Sequence, residues 1–242
     1  MISRLSERLL VLAALMLSPG VAQAQALSCA VPDVIPVPRP RAPEPARLMP
    51  TVRHTLALSW SPQFCRGKGH DTSFQCGPSV RFGFILHGLW PEGADGAWPQ
   101  YCRSPGTVPP RVVREMLCTS PSPDLMQNEW ARHGTCGWKE PAEYFATGRR
   151  LFQTLRFPDM PALSRRDDLT VERFKTIFTR LNARVPGLTP DGIRVRLAPG
   201  GWLEEVWLCL DRRLAQDACP ADQRGDAADR QRIRIWRGDP RP

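Results

Sequence analysis

The chain contains 242 residues and has a formal net charge of +9, with a sequence pI near 9.6. This length favours one domain with a sizeable core over two domains. The basic excess makes a polyanion, most commonly nucleic acid, a sensible partner, and a basic solubilising surface is an equally weighted alternative. No long block of lysine or arginine marks a separate binding arm.

Residues 1–26 have the organisation of a secretory signal peptide. Arg4 and Arg8 precede an apolar run from Leu9 to Leu17, and two small-x-small patterns follow it. The run is far shorter than the ~20 residues of a membrane-spanning helix, and no later stretch approaches that length. We therefore expect a secreted or periplasmic protein with no membrane partner after signal removal, and we expect it to be a monomer.

The cysteines of the chain all follow the signal segment. An even number in an exported chain indicates disulfides rather than a metal site, and no C-x-x-C pair is present. They allow on the order of a hundred pairings, so their connectivity stays open at the level of sequence. The eight cysteines are Cys29, Cys65, Cys76, Cys102, Cys118, Cys136, Cys209 and Cys219.

Residues 27–50 are predicted to form a proline-rich arm or linker, because seven prolines between positions 32 and 50 exclude a packed helix or central strand. Residues 51–242 are predicted to form the folded domain. Its strands and helices come in blocks rather than in strict alternation, which favours an α+β fold. The predicted strands cover residues 54–60, 80–90, 194–197, 202–210 and 232–236, and the predicted helices cover residues 110–117, 124–133, 141–155 and 170–185.

Two of the four histidines lie in similar local sequences. His87 lies in Phe-Ile-Leu-His-Gly-Leu-Trp-Pro, and His133 lies in Asn-Glu-Trp-Ala-Arg-His-Gly-Thr-Cys. We interpret the following glycines, Gly88 and Gly134, as room for backbone or substrate to approach each imidazole. Two histidines, one neutral and one protonated, can move a proton at each end of a single displacement without a cofactor.

The second of these runs is predicted to be helical and to stop near Gly134. Glu129 and His133 are four residues apart, so on an α-helix they share a face and can touch. The sequence therefore predicts a carboxylate beside this imidazole.

The two histidine runs closely resemble the paired active-site motifs of the ribonuclease T2 family, whose members are secreted, disulfide-bonded endoribonucleases. The first motif is matched throughout, from Phe84 to Pro91. Residues 60–65, Trp-Ser-Pro-Gln-Phe-Cys, also resemble an early block of that family. The second motif is matched at Glu129, Trp130, His133, Gly134 and Cys136.

This resemblance covers the chain from about residue 51 to its end. It implies a central antiparallel sheet packed with several helices, single-stranded RNA as the substrate, and a reaction without metal or cofactor. In that reaction the ribose 2′-hydroxyl attacks the adjacent phosphorus, the 5′-oxygen leaves, and a 2′,3′-cyclic phosphate forms.

The resemblance also implies roles for the polar residues of the two motifs. His133 is then the general base on the 2′-hydroxyl, and His87 is the general acid for the leaving oxygen. Chemistry requires such a pair without deciding which histidine is which. Glu129 is expected to orient His133 or contribute its own proton, and Arg132 is expected to stabilise the charge of the transition state.

Two positions depart from the family pattern near the phosphate. Arg132 stands where lysine is usual. This replacement keeps the positive charge but presents a planar guanidinium instead of a compact ammonium group. Asn128 stands where many members carry a phosphate-binding histidine, and an amide can donate a hydrogen bond but carries no charge. We expect phosphate binding to survive with altered geometry and lower affinity or rate.

Base recognition is expected from residues that follow the first motif. By resemblance, Trp90 stacks on the base and Glu92, which stands where many members have aspartate, accepts from its edge. Trp98 is a second candidate stacking face. Because stacking tolerates every base, weak base preference is expected.

The resemblance implies Cys102–Cys136 as a bridge from this loop to the catalytic helix, with Cys65–Cys76 and Cys209–Cys219 as local pairs and Cys29–Cys118 as the remaining one.

Two other functions compete with the ribonuclease. A zinc hydrolase is disfavoured because the spacing Glu-x-x-x-His, from Glu129 to His133, lacks two further ligands. The stronger alternative is a catalytically weak secreted protein of the same fold that binds RNA or another polyanion. Such a protein is expected to have lost a motif histidine or glutamate, but His87, Glu129 and His133 are all present. His54 and His70 are interpreted as structural or exposed.

Overall fold

The computed structural model describes residues 26–39, 44–66, 73–94, 96–220 and 226–238. The predicted signal peptide, apart from its last residue, lies outside these ranges, and so does His70. Among the helices within these ranges, none has the length and apolar character needed to cross a membrane.

Six strands are distributed along the described chain, and most helices fall between β4 and β5. The strands are β1 (Ala26–Ser28), β2 (Arg53–Trp60), β3 (Arg81–Phe82), β4 (Phe84–Glu92), β5 (Ile193–Ala198) and β6 (Trp202–Asp211). The helices are α1 (Ser61–Cys65), α2 (Pro110–Met116), α3 (Pro123–Glu129), α4 (Thr135–Gly137), α5 (Pro141–Gln153), α6 (Met160–Leu163) and α7 (Val171–Leu181). A π-helical turn (Trp130–Gly134) joins α3 to α4, and a 3₁₀ turn (Pro190–Gly192) precedes β5.

A four-stranded antiparallel sheet in the order β4-β2-β6-β5 forms the centre of the fold. One of its faces is apolar: Leu56 and Leu58 of β2 and Leu208 of β6 are fully buried in the main hydrophobic cluster. Helices α5 and α7 add Phe152 and Phe174 to that cluster. This arrangement confirms the predicted α+β fold with a central antiparallel sheet packed with helices.

The opposite face of the sheet carries polar and aromatic side chains. Ala57 and Ser59 alternate with the core residues of β2, and the register sets them beside Trp207 and Glu205 of β6. We call this surface the site face. It lies on the β4-β2-β6 part of the sheet and supplies the side chains described below.

The predicted strand over residues 80–90 is divided at Gly83. The Gly83 carbonyl accepts a hydrogen bond from the Ser61 amide at 3.0 Å, directly beyond the last β2–β4 pair, Trp60 with Phe84. The short strand β3 then pairs with β1 in a separate two-stranded sheet, and β1 was not predicted from the sequence.

The strand predicted over residues 232–236 does not form in the described part of the chain. Ile233 and Ile235 pack in the core, as their alternation predicts, but Arg234 forms only an isolated parallel bridge with Trp202. The same alternation leaves Arg234 and Trp236 on the side away from the core.

All eight cysteines are paired, and the four bridges are those that the family resemblance implies. Cys29–Cys118 ties the proline-rich segment to the residues after α2. An ion pair of 2.9 Å between Arg39 and Asp124 fastens the same segment to α3. Residues 29–39 of the segment are therefore fastened to the surface of the domain at both ends.

Candidate active site

His87 is the extra residue of a β-bulge in β4. Along the β2–β4 ladder Ala57 pairs with Gly88 and Leu58 pairs with Leu86, so no residue of β2 stands opposite His87. A bulge lets one side chain depart from the alternation of its strand, and bulges are frequent next to active sites. Leu86 keeps its place in the core, and the His87 ring lies on the site face.

Two side chains of the site face hold His87. Its Nδ1 lies 2.6 Å from Glu205 Oε1 and 3.2 Å from Ser59 Oγ, and the Ser59 hydroxyl donates to the same glutamate oxygen at 2.6 Å. The second oxygen of Glu205 accepts from Trp207 Nε1 at 2.7 Å. These bonds fix the Glu205 carboxylate against Nδ1 and leave Nε2 of the imidazole facing the other way.

The surrounding carboxylates favour the protonated form of His87. Burial alone lowers the pKa of His87, but the hydrogen bond to Glu205 and the charges of Glu129 and Glu205 outweigh it and raise the pKa from 6.5 to about 9. Nε2 lies 3.6 Å from Glu129 Oε1. At neutral pH the ring is therefore an imidazolium with a carboxylate at each nitrogen.

The helix that carries the second motif changes its geometry in the middle of that motif. It starts as α3, where the Ser122 hydroxyl accepts from the Leu125 amide at 3.2 Å, and it widens into the π-helical turn at Trp130. The predicted contact between Glu129 and His133 is not formed, because the i, i+4 geometry of an α-helix does not hold across this turn. Glu129 meets other residues instead.

Glu129 is buried between the two motifs. Its Oε2 accepts from Trp90 Nε1 at 2.6 Å, and its Oε1 accepts from Asn128 Nδ2 at 3.4 Å and faces His87. Burial raises the pKa of Glu129, and the His87 charge and the Trp90 hydrogen bond oppose that shift. The Glu129 carboxyl group can therefore orient His87, and its pKa depends on the charge of the His87 ring.

His133 has the opposite protonation preference to His87. The residue is 3 % exposed, and its ring packs against Trp90 and Trp98 with centroid separations of 5.4 and 6.1 Å. Burial lowers its pKa well below 6.5, and the charges of Arg132 and His87 lower it further. Nδ1 of His133 is buried and has no hydrogen-bond partner among the described residues. The imidazole is therefore neutral at neutral pH.

The glycines after the two histidines serve the packing of the site itself, which corrects the prediction that they leave room for substrate or backbone. A methyl group on Gly88 would overlap Glu129 Oε2 and Trp90 Nε1, the two atoms of one hydrogen bond. A methyl group on Gly134 would overlap the ring of Trp130. Both glycines are needed because side chains of the second motif fill the space beside them.

Arg132 is tethered to the loop that follows the first motif. The Arg132 carbonyl accepts from the Tyr101 amide at 3.0 Å. With the Gln100 amide turned so that its oxygen faces the guanidinium, that oxygen accepts from Nε at 2.9 Å and from Nη2 at 3.2 Å. The disulfide Cys102–Cys136 joins the same two segments. The guanidinium is thus held by a neutral partner, and no carboxylate among the described residues forms an ion pair with it.

The ribonuclease T2 family model matches residues 53–216, which include the site face, both motifs and the loop between them. The chain belongs to the ribonuclease T2 family. A ribonuclease from Aeromonas hydrophila is 32% identical over 163 residues, covering 66% of this chain and 71% of that protein. A probable ribonuclease from Haemophilus influenzae is 36% identical over 123 residues, covering 46% of this chain and 45% of that protein. The match thus spans about half of the Haemophilus relative.

Solved structures of ribonuclease T2 type share the fold. RNase NT in complex with 5′-AMP aligns with a TM-score of 0.60 at 19% identity, covering 77% of this chain and 99% of that chain. An RNase-related protein from Calystegia sepium aligns with a TM-score of 0.56 at 23% identity, covering 73% and 94%. At these identities the likeness concerns the fold alone.

The base-binding residues that the T2 resemblance predicts are only partly brought together. Trp90, which donates the hydrogen bond to Glu129, is buried. The centroid of its ring lies 5.2 Å from that of the half-buried Trp98. Glu92 is fully buried at the end of β4, where one oxygen accepts from the Thr55 hydroxyl. The other Glu92 oxygen and Trp98 Nε1 have no hydrogen-bond partner among the described residues. Their role in base binding stays a prediction.

Glu205, Ser59 and Gln100 belong to this T2 site and were not predicted. The alternation of residues 202–210 could have set Glu205 opposite the core, but nothing in the sequence says that β6 lies two strands away from β4. The prediction that His54 is structural agrees with its burial, and Trp130 of the second motif is also buried. The Asp211 carbonyl oxygen accepts from His54 Nδ1 at 3.3 Å, and Trp130 Nε1 donates to Pro105 O at 2.6 Å.

Proposed function

We propose that this chain is an exported endoribonuclease that cleaves single-stranded RNA by metal-free transphosphorylation through a 2′,3′-cyclic phosphate. The observation that carries the proposal is the placement of two histidines around one indole, where their surroundings shift the two pKa values in opposite directions. The ring centroids of His87 and His133 lie 5.1 and 5.4 Å from that of Trp90. One imidazole is ready to give a proton and the other is ready to take one.

His87 is the general acid in this proposal. Its raised pKa keeps a proton at Nε2 at neutral pH, where the leaving 5′-oxygen needs it. Glu205 is a positioning residue, since its bond to Nδ1 orients the ring and stabilises the imidazolium. This division agrees with the family resemblance, which assigns the acid to the first motif.

His133 is the general base, and it takes the proton of the 2′-hydroxyl. A base must be neutral before the reaction, and burial next to Arg132 keeps it so. Arg132 and Glu129 stabilise the charges that develop at the phosphorus and at His87. Asn128 contributes an amide donor beside Glu129, which is 3.4 Å away. Each proton transfer accounts for roughly 10²–10⁴ in rate, so charge stabilisation and placement must supply the remainder.

Binding of the base is assigned to the pocket around Trp90. Glu92 supplies a buried acceptor and Trp98 a buried donor, and both atoms lack a partner within the described residues. Structural neighbours described as complexes with 5′-AMP, 5′-GMP and 5′-UMP make a nucleotide a reasonable occupant of this fold. Four disulfides support an oxidising compartment, outside the cell or in the periplasm.

The direct test is incubation of the purified protein with single-stranded RNA in the presence of EDTA. We expect cleavage to continue in the chelator and the new ends to carry 2′,3′-cyclic phosphate. Cleavage that stops in EDTA and returns with a divalent cation would contradict the mechanism. Tight RNA binding without product would support the alternative, a weak or inactive RNA-binding protein of the same fold.

The pH dependence of kcat/KM is expected to be a broad bell. As pH falls through the lowered pKa of His133, the base becomes protonated and activity is lost. As pH rises through about 9, His87 loses its proton and activity is lost again. The profile can be measured on a dinucleotide substrate.

Replacing Glu205 by glutamine sharpens this test. The amide removes the carboxylate at Nδ1, so the pKa of His87 falls and the alkaline limb moves to lower pH. The acid limb, which belongs to His133, stays in place. A variant that loses activity equally at every pH would show that Glu205 has a structural role only.

A further inference from the structure

Two arginines and two tryptophans lie together where β6 begins. We call them the Arg–Trp cluster: Arg66, Trp202, Arg234 and Trp236. The Arg66 guanidinium carbon is 4.2 Å from the ring centroid of Trp202 and 4.5 Å from that of Trp236, and the Arg234 carbon is 4.8 Å from that of Trp202. The indoles meet edge to face at 5.9 Å. Both guanidinium groups are therefore held on aromatic faces.

The cluster continues the site face. Leu203 is fully buried in the core, so the alternation of the strand turns Trp202 to the opposite side. A bulge after Leu203 brings Glu205 back to that same side, because Arg196 pairs with Glu205 while Leu197 pairs with Leu203. Three residues of strand span at most about 10 Å, which separates Trp202 from the carboxylate that holds His87.

The charges of the cluster are available to an anion. Arg66 and Arg234 are exposed, and neither forms an ion pair with a carboxylate in the described part of the chain. By contrast, Arg194 and Arg196 of β5 are both paired with Asp226. When a guanidinium stacks with its flat face on an indole, the N–H groups along the edge of the guanidinium stay free. The geometry of these N–H groups matches that of a phosphate.

The geometry points to a second RNA subsite, in which Arg66 and Arg234, stacked on Trp202 and Trp236, bind a backbone phosphate on the 3′ side of the cleavage position. The direction follows from His87, which protonates the leaving 5′-oxygen in the proposed function on which this inference rests. The indole edges add a surface for the attached base. The subsite makes a strand of several nucleotides a better substrate than a dinucleotide.

The test compares the double variant Arg66→Ala/Arg234→Ala with the wild type in two assays. Binding is measured with a fluorescent oligodeoxynucleotide, which lacks the 2′-hydroxyl and cannot react. We expect about tenfold weaker binding at low salt, and a salt dependence of log K that is less steep by roughly 0.7, because one phosphate contact is lost. In cleavage assays, KM for a long single-stranded RNA rises, and kcat/KM for a dinucleotide is unchanged.

Arg212→Ala/Arg213→Ala is the matched control, because it removes two exposed arginines just beyond the far end of β6. The subsite is refuted if this control lowers the salt slope equally, or if the double variant leaves slope and KM unaltered. A structural role is indicated instead if the double variant melts at lower temperature and loses dinucleotide cleavage to the same extent. The wild type could also bind the oligonucleotide through these arginines and yet cleave no RNA. That result would support the subsite and contradict the proposed ribonuclease activity.

Discussion

Alanine at His87 or at His133 is expected to lower RNA cleavage by roughly 10²–10⁴. The two variants should differ once the leaving group no longer needs a proton. On a nucleoside 3′-phosphodiester with p-nitrophenol as the leaving group, His87→Ala should recover most of its rate. His133→Ala should not, because the 2′-hydroxyl still has to be deprotonated. Initial rates on both substrates give the comparison.

His54→Ala is the control for the loss of a buried imidazole. The backbone of His54 pairs with Pro91 at the end of the first motif, but the alternation of β2 puts its side chain on the face opposite the site face. It should change stability more than the ratio of rates on the two substrates. The double variant of His87 and His133 should be only slightly slower than the slower single variant, as expected for residues that act as a unit. Recovery by His133→Ala instead would reverse the assignment of acid and base.

Alanine at Gly88 is expected to be the most harmful substitution of a residue that does not itself react. The new methyl group would occupy the space of the hydrogen bond between Trp90 and Glu129. Overpacking of this kind costs about 1–3 kcal/mol of unfolding free energy. A displacement of about 1 Å in the catalytic groups can lower kcat by about 10²-fold. Thermal melting and kcat on RNA measure the two effects.

Gly137→Ala offers a matched control near the same helix. A methyl group there meets only Pro91 Cγ, at 3.9 Å, and an α-helix accepts alanine readily. We expect unchanged kcat and unchanged or slightly higher stability. If Gly88→Ala also kept full activity, the close contact of Glu129 with Trp90 would be unnecessary for the reaction.

The fold class and the two histidine motifs could be predicted because they depend on local patterns. Alternation identified β2 and most of β4, and helical spacing identified α5 and α7 within a few residues. The partners of His87 could not be predicted, because Glu205 is 118 residues away and meets it only through the strand order. The π-helical turn escaped prediction for a different reason. The i, i+4 rule assumes an α-helix, and no residue of Trp130–Gly134 marks the change.

Because of the bulge, the pairing of β2 with β4 does not depend on which side chain stands at position 87. Because no residue of β2 pairs with His87, a different side chain there leaves the register of Ala57 with Gly88 and of Leu58 with Leu86 intact. In the proposed mechanism, mutation can therefore remove the acid while the pairing of the sheet is kept. For evolution, the proposed function then makes a non-cleaving, RNA-binding descendant reachable in a single step.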